Sequence, residues 1–518
     1  ERRAALAALG AALEAAPDHL EALESYANLA EEEGEHARAE DALLRLSRAL
    51  TDADAQAATY RRLATLYAGP LDNLRRADVC FREVLRRKPD DDAAEEALID
   101  VRVRLRDLAP AVELQSARIE RATTPERQRD LTLGLARVHE LAGDDQKAAL
   151  SVLEKARKAW PHDPLVLRAT AELLRRAGDT PALTVLLDRS AAEARRALAH
   201  GRFEVHFFAI LSVVAEIRGD ARSAALTTAV LDSIECRPSG RVAGAGTAAL
   251  DPTLDDLIAP DLLSPALRGL LTALPGVLDG AFPVDLRSLR AIPLPLERAR
   301  QGEEARALAE AAGLRGLEVL ESTTLGVTVV PASSAPPRLV VGTELLTHPD
   351  AGVRQAALAR AVKILATHGA ALSRLAPIEL GPAIGALLAI LAPSHQPQGV
   401  DAARLADARR RLEPAIGPGK IDQLGTAALE VAGTLGNRTS QLGQALGQWG
   451  TRVALLATGN PDSCLRAVAA ALDQPEGPPA VAADRLKWVL RHPEARDLGV
   501  FATSEAVTAA SERLGLRD

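Results

Sequence analysis

The sequence predicts a mostly α-helical chain in two parts: a helical-repeat solenoid, then an α+β domain with a small β meander and a helix bundle. Three observations carry this expectation. Glycine–acid turns recur at repeat spacing through the first half. A Gly-, Ser- and Ala-rich stretch, Arg237–Ala249, then interrupts the pattern. Beyond it come the only clear β-branched runs.

The turns are Gly34-Glu35, Gly143-Asp144, Gly178-Asp179 and Gly219-Asp220. The first gap is 109 residues, close to three periods, and the later gaps are 35 and 41. Each turn follows one helical pattern and precedes another. In Ala58–Asp91, Leu63, Ala64 and Tyr67 share a face of the first helix. Ala77, Phe81 and Val84 form the apolar stripe of the second, and Pro89 stops it. A second copy carries Leu135, Ala136 and His139, then Ala149, Leu153, Ala156 and Pro161. A half-copy opens the chain with Ala5, Leu9, Ala12 and Pro17.

This alternation of small and large residues with a closing proline resembles the tetratricopeptide repeat, over residues 1–238. The resemblance implies helix pairs that stack because none buries its apolar face alone, leaving a concave groove for protein or peptide partners. The charges Arg61, Arg62, Arg86, Arg87 and Lys88 are expected on solvated faces rather than in a carboxylate clamp.

In residues 239–518 charges thin out and Pro and Gly become frequent. Helical stretches at 255–274 and 303–312 precede LEVLES (Leu317–Ser322), GVTVVPA (Gly326–Ala332) and RLVVG (Arg338–Gly342), which read as a meander. Helical patterns follow to the end: 351–367, 382–391, 402–412, 421–435, 440–457, 463–472, 480–490 and 504–514. The order of strands, turn and helix is similar to the catalytic domain of the M48 class of zinc metallopeptidases. There a helix carries His-Glu-x-x-His, whose imidazoles one turn apart bind zinc while the glutamate activates its water. A later helix supplies a third ligand in a Glu-x-x-x-Asp pattern. Matching VRQAALARAVKIL to the first helix puts Arg360, Ala361 and Ile364 at the His, Glu and His positions. Gly447 and Thr451 fall where the later glutamate and aspartate belong. Neither Ala361 nor Ile364 carries a lone pair, and a guanidinium stays protonated. The resemblance therefore implies a peptidase fold without metal or catalytic residues.

Composition narrows the remaining classes. A net charge of −8 with interleaved signs and only 2% aromatic residues argues against a nucleic-acid binder. The three cysteines, Cys80, Cys236 and Cys464, form no CxxC or Cys/His cluster. The longest apolar run, Ile384–Leu391, is short of a membrane span. No methionine occurs in the chain, which chance explains poorly. GPGKID at 417–422 lacks the first glycine and the hydroxyl residue of a phosphate loop, and no Gly-x-Ser-x-Gly elbow appears. Ser333 and Ser334 read as turn serines, and His348 and His368, flanking the former metal helix, as surface histidines. The expectation is a non-enzymatic, cytoplasmic interaction scaffold without a cofactor, its partner a protein or peptide in the groove. The alternative is a docking or regulatory module of a larger protein whose catalytic part precedes residue 1.

Overall fold

A computed structural model describes residues 2–143, 145–238, 240 and 242–516. Asp144 of the second turn signature, and Ser239 and Arg241 of the interrupting stretch, lie outside the described residues. Contact density divides the chain into two compact units, Glu1–Leu186 and Leu187–Asp518.

The first unit is a tetratricopeptide-like α-solenoid. Its helices are α1 (Arg2–Ala15), α2 (Leu20–Glu32), α3 (His36–Ala49), α4 (Ala53–Ala68), α5 (Leu74–Arg87), α6 (Asp92–Arg104), α7 (Leu108–Arg121), α8 (Pro125–Gly143), α9 (Gln146–Ala159) and α10 (Pro164–Ala177). Short polar side chains start five of them. Asp52, Asn73, Asp91, Asp145 and Asp163 each accept a backbone N–H of the first turn, each cap contributing about 1 kcal/mol. Gly178 ends α10 in the left-handed region at φ 73°, where a side chain would be strained.

The apolar faces meet as the spacing predicts. Leu63, Ala64 and Tyr67 of α4 and Ala77, Phe81 and Val84 of α5 are buried in one core that runs from Leu6 to Val101. Ala64 is fully buried, and its small size lets the facing helix come close. The opening half-copy is corrected by one residue. Leu6 and Leu13 are buried while Ala5 and Ala12 are exposed, because turning leucines inward removes more apolar area from water.

Ion pairs cross from repeat to repeat at one period's separation. Arg62 reaches Glu31 at 3.1 Å, Arg76 reaches Glu40 at 2.6 Å, Arg129 reaches Asp163 at 2.9 Å and Arg176 reaches Glu140 at 2.6 Å. The other expected solvated charges are paired within the chain too: Arg61 with Asp91, Arg86 and Arg87 with Glu83, and Lys88 with Asp54.

Helix α11 (Thr180–Ala199) spans the division, and α12 (Val205–Arg218) and α13 (Ala221–Ile234) lie in the second unit. The Gly- and Ala-rich stretch that follows is built into that unit. The Ala245 N–H donates to Leu456 O at 2.8 Å, and a Cβ on Gly244 would stand 2.1 Å from Ala457 O.

The sheet has four strands, β1 (Ile292–Pro293), β2 (Glu318–Ser322), β3 (Val329–Ser334) and β4 (Pro337–Gly342), in the order β1-β2-β4-β3. The expected three strands are present, but their connection is not a meander. β4 lies between β2, which it pairs in parallel, and β3, which it pairs antiparallel. Leu339, Val340 and Val341 are wholly buried, so the most continuous apolar run takes the centre. Pro331, which has no N–H for a ladder, confines β3 to the edge. That edge is closed by side chains. Arg374 donates to Pro331 O, and the Ser334 N–H donates to Asp279 Oδ2 at 2.8 Å.

Candidate functional site

Two places merit description, one in each unit. In the first, α8 and α10 diverge enough to leave a notch of about 420 Å³ whose floor includes Leu153 of α9. Leu133, Leu173 and Ala169 form its apolar wall, and Leu141 at the rim is 46% exposed. Charge at the notch is mostly self-neutralised, because Arg176 holds Glu140 at 2.6 Å and lies 4.0 Å from Glu172. The arrangement offers shape and apolar area to a side chain from outside.

In the second unit the helix Ala351–Ala366 crosses the helix Leu442–Thr458. Its position follows from its pattern: Ala357, Leu358, Ala361, Val362, Ile364 and Leu365 are all buried, so it is a core helix on nearly every side. Ala361 and Ile364 are each 1% exposed and serve as packing. Arg360 lies on the side facing Gly447, Gly450 and Thr451, and a Cβ on Gly450 would meet Arg360 O at 2.7 Å. Three of the five positions singled out in the sequence, Arg360, Gly447 and Thr451, thus come together.

They gather around a residue the sequence reading missed. Glu494 lies in the first turn of the helix Pro493–Ala502, and its Oε2 accepts from Arg360 Nη2 at 2.7 Å and Nε at 3.2 Å. Its carboxylate occupies the space a side chain at position 447 would need, since a Cβ there would lie 2.0 Å from Oε1. Thr451 Oγ1 donates to Gly447 O at 2.9 Å and stands 3.5 Å from Glu494 Oε2. One turn further on, Asp497 accepts from Arg452 Nε at 2.8 Å and Nη2 at 2.7 Å. Two arginine–carboxylate pairs therefore pin this helix down. A signal was available: Pro493 suits a first helical position, and Ala495, Leu498, Phe501 and Ala502 mark one buried face.

Lys363, one turn from Arg360, is buried. It pairs with Asp255 and stands 4.2 Å from the centre of the Trp449 ring. Burial lowers the Lys363 pKa and raises that of Asp255, each working against their mutual attraction. Among the described residues no group of three or more His, Cys, Asp or Glu side chains is arranged to hold a metal ion. His348 Nδ1 accepts the Asp350 N–H at 3.1 Å. His368 corrects the surface expectation: its Nδ1 is buried without a partner, and burial lowers its pKa. No helix is long and apolar enough to cross a membrane, among the described residues.

No protein-family model matches the chain, and no curated protein matches it. Solved structures do resemble it in part. A tetratricopeptide repeat protein from Parabacteroides merdae is 15% identical over 44% of this chain and 84% of its own, with a TM-score of 0.27. The C-terminal part of a TPR repeat-containing protein from Cytophaga hutchinsonii is 13% identical over 45% of this chain and 90% of its own, at 0.28. A structure of Naa15/Naa10 bound to HypK-THB matches 90% of this chain and 65% of its own at 13% identity, with a TM-score of 0.26.

Proposed function

We propose that this chain is a non-enzymatic protein-interaction scaffold whose solenoid receives a protein or peptide partner. The observation that carries the reading is the notch between α8 and α10, where Leu141 is 46% exposed beside half-buried Leu133. Elsewhere in the solenoid Glu31, Glu40 and Asp163 are engaged in repeat-to-repeat pairs. A photo-crosslinking amino acid at position 141 of the full chain, expressed in its source cells, tests it. A discrete crosslinked partner is expected from position 141 and not from position 86, on the solvated face of α5. Absence of any crosslink from 141 would remove the basis of the reading.

For the second unit we propose a peptidase-like domain without catalytic function. The Arg360–Glu494 pair supports this, because a guanidinium and its counter-ion fill the space between the two helices where a metal's ligands would converge. Elemental analysis and a casein-hydrolysis assay of the purified chain check it. Stoichiometric zinc together with peptide-bond cleavage would defeat the proposal.

A further inference from the structure

A further open cavity of the second unit has a volume of about 1060 Å³. It lies between the segment Phe282–Leu289, the start of the helix Pro377–Leu391 and the helix Ala402–Leu412. Its volume is that of a site for a drug-sized molecule. Phe282, Val284, Leu375 and Ile378 give it an apolar wall, and Ile378 is 64% exposed, a large side chain with nothing over it.

The charges around this wall are unequal in how far they are satisfied. Of the lining carboxylates, Asp407 is shared by Arg410 at 3.0 Å and Arg411 at 2.8 Å. Asp285 accepts the N–H groups of Arg287 and Ser288, at 3.0 and 3.2 Å. Glu379 sits in the first turn of its helix, at the positive end of the helix dipole. Two of the three lining arginines fare differently. Arg404 is exposed and has no carboxylate partner among the described residues. Arg374 is largely buried, reaches Asp279 only at 3.7 Å, and otherwise donates to the neutral carbonyls of Pro331 and Phe282. Burial lowers its pKa, and Asp279 opposes that shift.

We propose that this cavity binds a small amphiphilic carboxylate, its apolar body against Phe282, Val284, Leu375 and Ile378 and its head between Arg404 and Arg374. The negative head supplies what the two guanidiniums lack, in a charge-assisted contact that a neutral or cationic head does not make. The site is independent of the solenoid and of the crossing helices around Glu494.

Calorimetric titration of the full chain with sodium decanoate, and separately with decyltrimethylammonium bromide, tests the proposal. Decanoate is expected to saturate one site per chain and to bind at least tenfold more tightly than the cationic amphiphile. Arg404→Glu, at an exposed position, is expected to weaken decanoate about tenfold, with Arg404→Gln intermediate. Ile378→Asp is expected to weaken both ligands, and Arg86→Glu, in the other unit, neither. Equal affinity for the two amphiphiles would overturn the proposal, as would no saturation by decanoate below roughly 1 mM. Full decanoate affinity in Arg404→Glu would overturn it too.

Discussion

A single hydrogen atom decides the chemistry at position 447. Replacing glycine by alanine inside a helix normally gains about 0.5–1 kcal/mol. Here the added methyl would lie 2.0 Å from Glu494 Oε1, so the carboxylate must leave and Arg360 loses its counter-ion. Breaking a buried pair costs about 3–5 kcal/mol, which outweighs the propensity gain. Gly447→Ala is therefore expected to destabilise by about 3 kcal/mol in urea unfolding, and by much less in a Glu494→Ala background. Equal costs in both backgrounds would show that the clash is not with Glu494. The thiols give a second prediction at this scale. Burial raises Cys464 to about 12 and Cys80 to about 11, the latter helped by Glu83, so little thiolate exists at pH 8. Iodoacetamide should label half-buried Cys236 first and reach the other two only on unfolding, as read by peptide mass spectrometry.

At the scale of elements, Lys363 and Asp255 join two helices through a pair that burial works against. Lys363→Met alone should cost about 3 kcal/mol, because it strands a carboxylate. Adding Asp255→Leu should return most of that loss, since an apolar pair of similar size needs no solvation. Equilibrium unfolding of the three variants measures this, and a double variant no better than the single would contradict it. Element scale is also where the sequence was most and least informative. The faces of α4 and α5 were legible because apolar spacing is a local property of consecutive residues. The place of β4 between β2 and β3 was not, because strand order depends on which run is buried on both sides. Pro331 held the clue to the edge position. The helix Pro493–Ala502 offers a plainer lesson: the helical patterns legible in the sequence stop at 490 and resume at 504, and Glu494 and Asp497, the residues that complete the cluster, lie between them. Arg360, Gly447 and Thr451 could be grouped from the spacing of a family resemblance, but their common partner lies in a segment that resemblance did not cover.

Across the whole molecule, the solenoid's dependence on its own carboxylates sets its response to acid. Arg118, then Arg127, holds the Asp92 carboxyl below the usual range, and Arg87 does the same for Glu83. Both groups bind protons less tightly when folded than when unfolded. Their contribution is present above the unfolded carboxylate value of about 4 and is lost as pH falls through the depressed folded values. The melting temperature should therefore fall on acidification below about pH 4, and Arg118→Gln should flatten that slope. A slope unchanged in this variant would place the acid sensitivity elsewhere.

The closed border of the sheet has a consequence for life at high concentration. A strand with open amides and carbonyls along one side invites a neighbour's strand to zip onto it, and copies then chain without limit. Arg374 and Asp279 hold the places such a visitor would take, and Pro331 has no hydrogen to offer it. Crowded copies of this chain are therefore denied a backbone route to fibres along β3.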